Sequence, residues 1–155
     1  MTTFSHVISG SYIAIKTANI DIVEVDYIFA AVASSAVLDV DHLYYFIKDR
    51  KFFYIHGLRK NLHKARSFLH ELMGFSLIGI LMLLVGFYNQ KMAYVIGVSS
   101  FVHLAEDFIM GISVPFNPFD KFEMNLIAQK KIFKRWVDVF VIVIFSLLWI
   151  NLLQK

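Results

Sequence analysis

The sequence predicts an all-α fold: a polytopic membrane bundle of about four to five helices in a single domain covering 1–155. Three observations carry this. The chain is 58% hydrophobic and only 17% charged, against roughly 45–50% and 25% in soluble domains. Its mean hydropathy is +0.63. Its apolar residues fall into long runs that match helices near bilayer length. A length of 155 residues suits one domain on a prior of about 150 residues per domain. Zero cysteines exclude a disulfide framework and a thiolate metal site, so a bound metal must take His, Asp or Glu ligands. The formal charge of +3 and pI near 9.1 would suit nucleic acid in a polar chain. In so apolar a chain basic residues set membrane topology instead.

The first run, about Phe4 to Thr17, is too short to span unaided and reads as interfacial or re-entrant. No signal peptide is expected, because MTTFSH has no basic residue ahead of the apolar stretch. The second run, about Val23 to Leu38, closes on the acidic segment LDVDH. The third and fourth, Phe68 to Tyr88 and Met92 to Val114, are joined by Asn89-Gln90-Lys91 and should be antiparallel neighbours. Pro115 and Pro118 should stop the fourth. The last, Trp136 to Leu153, is broken only by Asp138, Ser146 and Asn151. As a helix it is about 27 Å long, nearly a bilayer core.

Of fifteen basic residues, seven lie between positions 48 and 66 and five between 121 and 135. These loops flank the antiparallel pair on one side, and the positive-inside rule makes that side cytoplasmic. The run KDRKFFYIHGLRK interleaves basic and aromatic residues as nucleic-acid sites do. We read it as an interfacial belt with snorkelling lysines, so nucleic acid is not an expected partner.

The same topology gathers the ionisable residues of the apolar segments at the cytoplasmic level. Asp39, Asp41 and His42 close the second run; Arg66 and His70 open the third. His103, Glu106 and Asp107 lie in the returning half of the fourth, and His6 begins the first. Such groups cost about 2.5–3.5 kcal/mol each on insertion scales and mark function by default. A lone histidine in an apolar helix is commonly a satisfied core residue, but two ionisable groups one turn apart need a partner. His103 and Asp107, at i and i+4, lie about 40° apart around a helix and can address one ion. Ser99 and Glu106 extend that stripe, and Glu106 also suits a salt bridge to Arg66 or a loop lysine. Arg66 puts a bidentate donor on the face of His70. Gly10, one turn from His6, allows a helix or ligand to approach closely.

Four blocks, in order, resemble the predicted membrane-bound metal-dependent hydrolases of the YdjM-like group, placed with zinc-dependent phospholipases C and single-strand nucleases. They are SHVISG with His6 and Gly10, LDVDH with Asp39, Asp41 and His42, ARSFLHE with Arg66 and His70, and HLAEDFIMGISVP with His103, Asp107 and Pro115. Leu38 stands where the family has proline. Ala65 stands where it has histidine, with His63 two residues earlier. The resemblance implies an all-helical metal site with hydrolytic activity on a phosphoester, a membrane lipid being one candidate.

The expected site is therefore a divalent metal, zinc foremost with manganese or iron as alternatives, held by some of His6, Asp39, Asp41, His70, His103 and Asp107. Arg66 is the expected phosphate holder, and Glu106 or Glu71 a base or supporting group. Two rival readings use the same residues. One is binding or transport of a cation or proton without hydrolysis; the other is a degenerate, non-catalytic family member.

Overall fold

Local capping chemistry sets both ends of the first helix. The computed structural model describes residues 2–40, 71–110, 112–113, 119, 124–125 and 131–154. Within them lie five helices: α1 (Thr3–Thr17), α2 (Val25–Val37), α3 (Leu72–Gly86), α4 (Gln90–Met110) and α5 (Lys131–Leu153). Two-residue strands β1 (Ile112–Ser113) and β2 (Met124–Asn125) pair antiparallel between α4 and α5, with Ile112 opposite Asn125.

At the start of α1 the Thr2 hydroxyl accepts the Ser5 N–H at 3.4 Å. At its end Asn19 takes a left-handed conformation (φ 50°). The Ile20 N–H then reaches the Ile15 carbonyl at 3.0 Å and the Asn19 N–H the Lys16 carbonyl at 3.4 Å. This is a Schellman motif, with Asn in the position usually held by Gly. Its apolar partners, Ile15 and Ile20, are both buried in the core. The turn expected at Asn89 is present, and the Asn89 side chain caps α4 by accepting the Met92 N–H at 2.9 Å.

α1, α2 and α4 pack against one another; α3 adds to α4, and α5 adds to α1. α1, expected to be too short to span unaided, is packed against three neighbours, α2, α4 and α5, with Ala14 and Ile15 fully buried. Length alone said it could not cross a bilayer. Its small residues Ser5, Ser9, Gly10, Ser11 and Ala14, all buried, let neighbouring backbones come close, which is how helices associate in membranes. Gly10 is the tightest point. A Cβ there would lie 2.5 Å from Ser35 Oγ and 2.9 Å from the Ser99 carbonyl oxygen. Ser99 donates to the Ala31 carbonyl at 2.5 Å, and its hydroxyl meets that of Ser35 at 2.6 Å. Each interhelical bond of this kind contributes about 0.6 kcal/mol.

The distribution of polarity is inverted relative to a water-soluble protein. Among the described residues, ten buried side chains are polar or ionisable and nine are hydrophobic. Large apolar side chains face outward instead, including Leu77, Ile80 and Leu84 on α3 and Phe140, Val143, Leu147 and Ile150 on α5. An outer surface this apolar is an aggregation liability in water and an ordinary one in hydrocarbon. Gln90–Met110 and Phe133–Leu153 are long and apolar enough to span, each 21 residues or roughly 31 Å.

Candidate metal centre

The two ends of the bundle differ. At one, Lys91 Nζ pairs with Glu24 Oε1 at 3.0 Å, and Asn89 donates to the Tyr27 hydroxyl at 3.1 Å. At the other, the start of α1 meets the ends of α2 and α4. There His6, Asp39, His103, Glu106 and Asp107, expected from the sequence, come together. Asp41, His42, Arg66, His70 and the basic run from 48 to 60 lie outside the described residues.

His103 is fully buried, and its Nδ1 lies 2.6 Å from the Ser35 carbonyl oxygen. A carbonyl oxygen only accepts, so Nδ1 donates to it and Nε2 is the nitrogen turned toward the carboxylates. That nitrogen faces Asp39 Oδ1 at 3.5 Å and Asp107 Oδ2 at 4.0 Å. His6, 1% exposed, is oriented in the same way by a different group: its Nδ1 donates to Glu106 Oε2 at 2.7 Å, and its Nε2 faces Asp107 Oδ1 at 3.1 Å. The two rings stack with centroids 4.2 Å apart and planes at 28°. Both imidazoles thus have Nδ1 anchored and Nε2 turned toward the same carboxylate.

This is the arrangement of metal-ligating histidines, whose second nitrogen almost always donates to a carboxylate or backbone carbonyl. One donor atom from each of His6, His103 and Asp107 lies within 4.8 Å of the others. Donors sharing a zinc ion at about 2.0–2.2 Å are at most about 4.4 Å apart, so small side-chain movements suffice. The set fits a divalent cation. Two imidazoles and a carboxylate are a donor set that could hold a divalent ion, and such nitrogen and oxygen donors suit zinc, iron or manganese.

Glu106 supports rather than completes this set. Its Oε2 accepts from His6 Nδ1 and its Oε1 accepts from Ser9 Oγ at 2.7 Å, so among the described residues it engages α1 rather than a lysine or arginine. Ser99, expected to extend the polar stripe of α4, is buried on that helix and bonded into the seam between α2 and α4. Glu71 is buried at the start of α3. Sequence reasoning missed Ser9 and Ser35. Ser9 was accessible as the residue three after His6 on the same face of α1. Ser35 acts through its backbone carbonyl, which leaves no trace in side-chain chemistry.

No curated protein and no solved structure matches the chain. The family model described as the YdjM inner membrane protein matches residues 1–155, and with its outward-facing apolar helices and its polar end this chain belongs to the YdjM inner membrane protein family.

Proposed function

We propose that this protein is a membrane-embedded, metal-dependent hydrolase acting on a phosphoester, with lipid phosphoesters as the substrate class. The observation that carries the reading is the pair of anchored imidazoles whose Nε2 atoms face one carboxylate, at one end of a membrane bundle. His6, His103 and Asp107 hold the cation. Asp39 stands beside them, and Asp41 and His70 are proposed to complete the set. A divalent ion in such a site supplies Lewis acidity, polarising a phosphoryl oxygen and lowering the pKa of a water toward about 7.

The chain's own groups do the rest. Glu106 and Ser35 fix the imidazole tautomers, and Ser9 holds Glu106 in place. Arg66 is assigned the substrate phosphate, for which a planar bidentate guanidinium is suited. In the sequence the two basic segments, 48–66 and 121–135, follow α2 and α4, and the positive-inside rule supports a cytoplasmic orientation. A headgroup phosphate then reaches the site from the leaflet beside it.

The test is metal content of the detergent-purified full chain, followed by turnover of a phosphodiester ester and of phospholipid vesicles with zinc or manganese. The reading expects bound metal and metal-dependent phosphate-ester cleavage. A metal-free parent that turns over neither substrate at any loading overturns it. One observation favours a second reading, passage of protons or cations. Glu106, 19% exposed, connects through His6 to the buried Asp107 and His103, a line of groups able to pass a proton inward. That reading expects pH-dependent flux in liposomes and no turnover.

A further inference from the structure

Asp138 interrupts α5, a candidate membrane span with no share of its apolar window buried in the bundle, where a carboxylate is costly. It is turned toward the first turn of α1. Its Oδ1 accepts from Ser5 Oγ at 2.6 Å and from the Thr2 backbone N–H at 3.0 Å, with the Thr2 hydroxyl 3.5 Å away. The opening N–H groups of a helix have no partner within it and carry its positive dipole end, so a carboxylate there is stabilising. The residue after Ser5 is His6, and the Ser5 carbonyl lies 2.8 Å from Ser9 Oγ, which in turn holds Glu106. One carboxylate on α5 therefore holds the turn of α1 that carries the candidate ligand His6, and the Ser5 carbonyl of that turn accepts from Ser9, the support of Glu106.

We propose that Asp138 is a positioning residue for the metal centre: it sets the height and rotation of the first turn of α1 so that His6 Nε2 meets Asp107. This rests on the reading that His6, His103 and Asp107 bind a divalent cation. The C-terminal helix is then part of the site's support as well as a membrane anchor. α5 also holds α1 further along, where Trp149 Nε1 donates to the Ile8 carbonyl at 3.1 Å and Tyr12 packs edge-on to Phe145 and Trp149. That second contact serves as the control, because it joins the same two helices without touching the first turn.

The experiment measures Co²⁺ affinity of the detergent-purified full chain, from the visible absorption of the bound ion, in the parent, Asp138→Ala, Asp138→Asn and Trp149→Phe, with thermal unfolding in parallel. Removing the groups that orient metal ligands costs about 10–100-fold in affinity. Asp138→Ala is expected to fall in that range. Asp138→Asn keeps an acceptor for Ser5 and Thr2 and should lose less. Trp149→Phe is expected to lower the unfolding temperature while binding Co²⁺ as the parent does. Parent-like affinity in both Asp138 variants overturns the proposal, as does an equal loss in Trp149→Phe, which would reduce Asp138 to general α1–α5 packing. A parent that binds no Co²⁺ overturns the underlying metal reading instead, so the two failures are separate.

Discussion

α4 and α5 are both long and apolar enough to cross a bilayer, yet the bundle uses them in opposite ways. α4 is enclosed, packing against α1, α2 and α3, and its buried face carries Ser99, Ser100, His103 and Asp107. α5 touches α1 along one side and turns Trp136, Phe140, Val143, Leu147 and Ile150 outward. Hydropathy ranks α5 as the better span because Asp138 is the only ionisable residue between Trp136 and Leu153. α4 is less apolar because its neighbours satisfy its polar groups, so a lower score there marks the helix that holds the chemistry.

Substitutions that exchange the two environments test this contrast. The largest effect is expected from a charge on the outer face of α5. Val143→Lys places an ammonium near the middle of the span, at a cost of about 2.5–3.5 kcal/mol on insertion scales, and should appear as reduced membrane integration in a glycosylation-mapping assay. Gly10→Ala comes next, because the added Cβ meets the Ser99 backbone as well as the Ser35 hydroxyl. Overpacking of this kind costs about 1–3 kcal/mol, read as a lower unfolding temperature in detergent. Its counterpart Gly79→Ala, on α3 with nothing within 4 Å, should be neutral or raise the unfolding temperature slightly through helix propensity.

The smallest effect belongs to the far end of the bundle. The Glu24 carboxyl is held below its ordinary range by the Asp21 backbone N–H and by Lys91. A lowered folded-state pKa means that its contribution is fully present above the ordinary glutamate range and is lost as pH falls through the lowered value. Glu24→Gln should therefore flatten the acid limb of the unfolding-temperature profile slightly and leave neutral pH nearly unchanged. A larger shift at neutral pH would mean that this exposed pair carries more of the bundle than its solvation allows.

Much of the fold was legible in the sequence because bilayer thickness and turn chemistry are local. The Asn89 turn lies where three polar residues break two apolar runs, and the last helix ends at Leu153 as expected, beginning earlier, at Lys131. The convergence of His6, Asp39, His103 and Asp107 was also legible, since alternating helix direction puts the ends of successive helices on common levels. The central place of α1 was not. Its weakly apolar face of Ser5, Ser9, Gly10 and Ala14 has value only against the neighbours that close on it. Asp138 likewise read as a blemish in a span, because its partners lie more than 130 positions away at Thr2 and Ser5. The anchoring of His103 by the Ser35 carbonyl depends on backbone position and has no sequence signature.

The central claim is that the two imidazoles and the shared carboxylate form a divalent cation site. The most direct test is the metal content of the purified full chain by mass spectrometry, beside His103→Ala and Asp107→Ala. The account predicts bound zinc, manganese or iron in the parent and loss of that metal in both variants. Metal absent from the parent, or retained in folded variants at the parent's level, contradicts it.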